Sequence, residues 1–133
     1  MWPRVDGMRA FGLGPPGEMR DRLNRLVFAG EKISTAGLWK YDYESGAEAD
    51  DEVGERQVML DSDGRGVAVV EVTRVERHRF VDVPWEFARD EGEGFTSIEH
   101  WREGHRSYYA KLDVAIDDDD DVICVWFRVV ERR

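Results

Sequence analysis

The chain has 133 residues, 41% of them hydrophobic, which suits one domain around one core and argues against a second. Its formal net charge of -10 weighs against a general grip on nucleic-acid backbone, although 19 lysines and arginines leave room for a local basic pocket. A single cysteine, Cys124, excludes an internal disulfide framework, and no apolar run has the length of a signal-peptide core or a membrane span, so a cytoplasmic protein is expected.

In chain order, residues 1–14 carry glycines without a period and read as an irregular arm. Pro15-Pro16-Gly17 punctuates it. Met19, Leu23, Leu26 and Val27 then recur at helical spacing, which predicts an amphipathic helix over about residues 16–29, closed by Gly30 in the left-handed position. Lys32, Ser34 and Thr35 follow within a turn or so, in a chain with only three lysines. Two readings of this stretch stay open. A lysine buried beside a hydroxyl can act as its base, whereas a solvated lysine next to a locally capping serine or threonine does nothing of the kind.

Trp39, Tyr41 and Tyr43 alternate with charge, either to stack a nucleobase or to cover a core edge. Residues 44–55 are acidic and read as an exposed loop. Gln57–Leu60 and Val67–Val75 form a predicted β-hairpin around Asp61-Ser62-Asp63-Gly64-Arg65-Gly66, with Glu71 pointing away from Val70 and Val72, by default to solvent. A short helix is predicted after Pro84, ended by Gly92-Glu93-Gly94, a turn where Glu91 and Glu93 can approach a ligand or merely confer solubility.

Thr96 with Glu99 predicts a capping box for a last helix, whose apolar stripe holds Ile98, Trp101, His105, Tyr108, Tyr109 and Leu112. His105 is expected as a packed residue bonded through one ring nitrogen. His78, His100 and His105 lack metal spacing with Cys124, so no metal site is predicted. Asp117–Asp121 reads as a solvated acidic connection, and Val122–Val130 as a covered strand with Cys124 in the core.

Several of these pieces together resemble the ASCH family. Gly30-x-Lys32-x-x-Thr35 matches its G-x-K-x-x-T motif. Val53-Gly54-Glu55 is similar to its V-G-D, and Asp61–Val70 to its hairpin. Glu86-Phe87-Ala88, Glu91-Gly92-Glu93-Gly94, Ser97-Ile98-Glu99 and Trp101-Arg102-Glu103 with His105 resemble a longer, E-G-E-G type of member. The resemblance runs from about residue 10 to the end. It implies an α+β fold, a PUA-like mixed β-barrel with flanking helices, in a single domain over residues 1–133.

Members have been associated with RNA-related binding, RNA cleavage, and hydrolysis of the acetyl amide of N4-acetylcytidine. Carried over from the amidohydrolase-type members, the resemblance implies Lys32, Thr35 and Glu91 as catalytic, with Lys32 as base, Thr35 as nucleophile and a protonated Glu91 as acid. Ser34, Trp39, Tyr41, Glu93, Trp101 and Arg102 are the expected ligand contacts. The expected partner is a modified nucleoside or short RNA, with no cofactor, membrane or protein partner. The competing functions are a non-catalytic RNA-binding module, which needs a stripe such as Arg74, Arg77, Arg79, Arg102 and Arg106, and a ribonuclease in which Lys32 stabilises phosphate charge.

Overall fold

Asp6 and Gly7 both take positive φ (52 and 79°), as a tight type I′ turn requires, and join β1 (Arg4–Val5) to β2 (Met8–Phe11). The predicted irregular arm is therefore a small hairpin. Its strands are too short to show alternation, and the Asp6-Gly7 pair was the signal that betrayed them. The computed structural model describes residues 1–133.

Helix α1 (Glu18–Phe28) ends as its sequence predicts. Gly30 sits at φ 76° while its N–H reaches the Val27 carbonyl and the Glu31 N–H reaches Leu26, both 3.0 Å, a Schellman arrangement that turns the chain sharply into Lys32. Strand β3 (Ser34–Leu38) follows, then one π-helical turn over Trp39–Tyr43 in place of an alternating segment.

The acidic segment beyond it is not a free loop. Glu48 and Asp51 are each 6% exposed, Glu48 against Arg4 and Arg9, and Asp51 against Tyr43 and Gln57. Arginine partners hold Glu48, and hydroxyl and amide donors hold Asp51, so both carboxylates turn inward.

Strands β4 (Arg56–Leu60) and β5 (Gly66–Arg79) form the predicted hairpin. Glu71 faces outward to Arg56 and Arg128, as expected by default. Helices α2 (Trp85–Asp90) and α3 (Ile98–Ala110) precede β6 (Asp121–Arg132). The N-cap of α3 is Ser97, not Thr96: its hydroxyl accepts from the His100 N–H at 3.0 Å. The six strands form one mixed sheet in the order β1-β2-β4-β5-β6-β3, antiparallel except between β2 and β4.

Two apolar clusters fasten the helices to this sheet. Leu23 and Val27 of α1 pack with Met59, Val70 and Phe127, while Phe87 and Trp101 of α2 and α3 pack with Leu38, Cys124 and Trp126. The aspartate run is engaged, with Asp118 on Arg106, Asp119 on Arg79, Asp120 on Lys40 and Asp121 on Arg77. No helix is long and apolar enough to cross a membrane.

Candidate functional site

Two backbone segments meet at the mouth of β3. Ile33 N–H donates to the Asp90 carbonyl at 2.9 Å, and the Trp126 indole donates to the Asp90 carboxylate at the same distance, so Glu31–Ile33 and Asp90–Glu93 run against each other. Gly92 allows this contact: it holds φ 64°, and a Cβ there would lie 2.0 Å from the Glu31 carbonyl oxygen. The sequence thereby folds Lys32 inward between the two glutamates of Glu91-Gly92-Glu93.

Lys32 is 2% exposed. Its ammonium donates to the Glu93 carboxylate at 2.7 Å, the Ser34 carbonyl at 2.8 Å and the Glu91 carboxylate at 3.3 Å. The Glu91 carbonyl also accepts at 3.5 Å, so three donors are shared among four oxygens, and Lys32 is not hydrogen-bonded to Thr35. The other Glu91 oxygen accepts from the Trp101 indole and lies 3.5 Å from His105 Nε2. His105 Nδ1 donates to the Trp101 carbonyl at 2.9 Å, which turns Nε2 toward Glu91. The packed role expected of His105 holds, and the ring also reaches the site.

The two carboxyls are pushed in opposite directions. Burial raises Glu91, but Lys32, His105 and the Trp101 indole overcome it and leave Glu91 below the usual carboxylate range. Burial raises Glu93 as well, and there the neighbouring Glu91 charge helps burial prevail over Lys32. Of the two, Glu93 is biased toward its neutral form and Glu91 toward its charged form, because one ammonium serves two carboxylates and Glu91 holds the better set of donors.

A pH-dependent prediction follows from these signs. A depressed carboxyl contributes stability that is present above its unfolded value and lost as pH falls through its lower folded value, whereas a raised one loses stability as pH climbs from its unfolded value to its higher folded value. Glu93→Gln is expected to be more stable than the parent at pH 7.5, with an advantage that shrinks toward pH 4.5. Glu91→Gln should be less stable at pH 7.5. Urea unfolding across that range checks both, and like signs for the two variants would refute the assignment.

A cavity of about 540 Å³ opens beside the cluster, walled by Lys32, Thr35, Glu91, Glu93 and His105. Thr35 stands on β3 opposite Val125 of β6, with its side chain free of internal hydrogen bonds. Phe95, Tyr108 and Tyr109 add aromatic wall, while Asp42, Asp51 and Gln57 add polar wall. Sequence reasoning missed those last three, which carry no motif and reach the cavity only through the fold.

The remaining expected contacts lie elsewhere. Ser34 is fully buried and donates to the Phe87 carbonyl at 3.2 Å. Trp39 stacks on Tyr43 beneath the Arg77 guanidinium, and Tyr41 meets the Tyr109 ring edge-on. Trp101 is fully buried behind Glu91, and Arg102 donates to the Val81 carbonyl at 2.7 Å. None of the five lines this cavity. Each is held by packing or backbone contacts that the motifs did not reveal.

The profile of the ASCH domain matches residues 9–131. Among solved structures, the chain is similar to an ASCH domain from Lactobacillus crispatus JV V101, at 28% identity and TM-score 0.77 over 92% of this chain and 79% of that one. It is also similar to a protein from Enterococcus faecalis V583, at 26% identity and TM-score 0.80 over 92% and 76% of the two chains. A mutant ASCH protein from Zymomonas mobilis, 9% identical with TM-score 0.53 over 92% and 70%, shares the fold. No curated protein matches the chain. The six-stranded mixed sheet with its flanking helices is the PUA-like α+β fold of these structures, and the chain belongs to the ASCH domain family.

Proposed function

We propose that the cavity binds a modified nucleoside and hydrolyses an N4-acylcytidine amide, with Thr35, Lys32 and the Glu91–Glu93 pair as its machinery. The observation that supports this most is the buried ammonium shared by two carboxylates beside an unengaged threonine hydroxyl. A cavity of this size, with aromatic wall and polar groups at its ends, suits a small planar ligand.

In this reading a Lys32 proton crosses the 2.7 Å contact to Glu93, which leaves an amine and a carboxylic acid. The amine takes the Thr35 proton as the threonine oxygen attacks the acyl carbonyl. Glu93 then protonates the departing cytidine nitrogen, restoring ammonium and carboxylate and leaving an acyl-threonine for water to release. Glu91 stays ionised and holds the ammonium in place.

The walls carry Asp42, Asp51, Glu91 and Glu93 against Lys32, Arg22 and His105, so a phosphate inside meets more negative charge than positive. An RNA-binding stripe gains little support. Arg74 pairs with Glu76 and Glu86, Arg79 with Asp82 and Asp119, Arg77 with Asp121 and Arg106 with Asp118.

Chromatography of N4-acetylcytidine incubated with the purified protein tests the proposal. The parent is expected to release cytidine, and Thr35→Ala to slow release about a thousandfold or more. Equal release by both would refute Thr35 as nucleophile, and none by the parent would refute the hydrolase.

A further inference from the structure

The cavity floor crosses four neighbouring strands, from Thr35 of β3 through Val125 and Phe127 of β6 and Val70 and Val72 of β5 to Gln57 of β4. Polar groups stand at both ends of an apolar middle. Three strand spacings separate the ends, about 14 Å along the sheet.

At the second end Asp51 fixes Gln57. The carboxylate accepts from Gln57 Nε2 at 2.6 Å and from the Tyr43 hydroxyl at 2.5 Å, which makes Nε2 the amide's donor side and leaves Oε1 as an acceptor. Tyr43 is itself wedged against Gly37, where an added Cβ would lie 2.5 Å from the ring. Burial drives the Tyr43 hydroxyl well above its usual range, so it remains a donor.

Gln57 Oε1 has no protein partner, and it is not among the sealed unpartnered polar atoms, which are Asn24 Oδ1 and Arg102 Nε. Gln57 is 4% exposed and lines the cavity, so the cavity is the open space beside its amide. A buried acceptor held rigidly and left without a donor is an anchoring point for a ligand O–H or N–H.

We propose that Gln57 Oε1, positioned by Asp51 and Tyr43, accepts a hydrogen bond from a sugar hydroxyl of the bound nucleoside and so sets which end of the ligand faces Thr35. This rests on reading the cavity as a nucleoside site. An acyl group at the Thr35 end, a flat base over the valines and Phe127, and a hydroxyl-bearing sugar at the Gln57 end match the polar–apolar–polar order of the floor. The carboxylates beside Gln57 disfavour a phosphate in the same position.

Calorimetry of the whole chain with cytidine and with cytosine, its free base, tests the anchor. The parent is expected to bind cytidine about tenfold more tightly, and Gln57→Met, which nearly keeps the side-chain volume, to lose that preference. The ligand comparison on the parent needs no variant and stands if Gln57→Met fails to fold. Equal binding of the two ligands by the parent, binding of neither, or an undiminished preference in a folded Gln57→Met overturns the proposal. Cytidine release from N4-acetylcytidine is read separately, so a protein that prefers cytidine but leaves the amide intact refutes only the hydrolase.

Discussion

Lys32→Met is expected to lower the thermal midpoint by about 10–20 °C, corresponding to a loss of about 3–5 kcal/mol. The substitution keeps the apolar stem and removes the only cation paired with both Glu91 and Glu93, which are 2% exposed and partly exposed respectively. A buried carboxylate without its counter-charge must either hold its charge in a poorly hydrated place or take up a proton, and both cost stability near neutral pH. The triple variant Lys32→Met, Glu91→Gln, Glu93→Gln should recover most of the loss, since it buries no formal charge there. Calorimetric melting of the three proteins decides it. A single variant as stable as the parent would show that the ammonium does not hold the cluster together.

Gly92→Ala is expected to cost about 2–4 kcal/mol, in part from the left-handed backbone and in part from overpacking. The added carbon meets a backbone carbonyl at 2.0 Å, which a rotamer change cannot relieve, so the two segments must separate. Glu91 and Glu93 flank the substituted residue and would move with it. Gly94→Ala is the comparison: at φ 96° it carries the backbone penalty, yet nothing lies within 4 Å of its added carbon. Urea unfolding should therefore rank the two losses clearly, with Gly92→Ala the larger. An equal loss for both would show that the contact with Glu31 is loose.

Much of the fold was legible because its signals are local. The period of Met19, Leu23, Leu26 and Val27, the left-handed demand at Gly30 and the turn residues from Asp61 to Gly66 each act within a few residues, and the helix and hairpin follow. Elements with equally local but shorter signals were overlooked. Asp6-Gly7 turns a hairpin between strands too brief to alternate, and Ser97 takes the cap position one residue beyond Thr96. Trp39–Tyr43 alternates in sequence yet winds into a π-helical turn, with the Asp42 carboxylate accepting the Leu38 N–H at 2.7 Å.

The candidate site divides along the same line. Lys32, Thr35, Glu91 and Glu93 stand out by residue type and by their motifs, and all four reach one cavity. Ser34, Trp39, Tyr41, Trp101 and Arg102 stand out equally, yet packing and backbone contacts keep them from it. Gln57 and Asp51 had no motif to mark them.

By itself the amino-acid sequence determined the helices, the main hairpin, the family and the residue types able to do chemistry, because these follow from periodicity, turn preferences and short motifs. Only the tertiary structure decided that the two carboxyls are shifted in opposite directions, which aromatic groups wall the cavity, and that the cavity has a second polar end. Those properties depend on burial and on distances between residues far apart in the chain, such as Lys32 with Glu93 and Gln57 with Thr35 across the sheet, and no local pattern carries them.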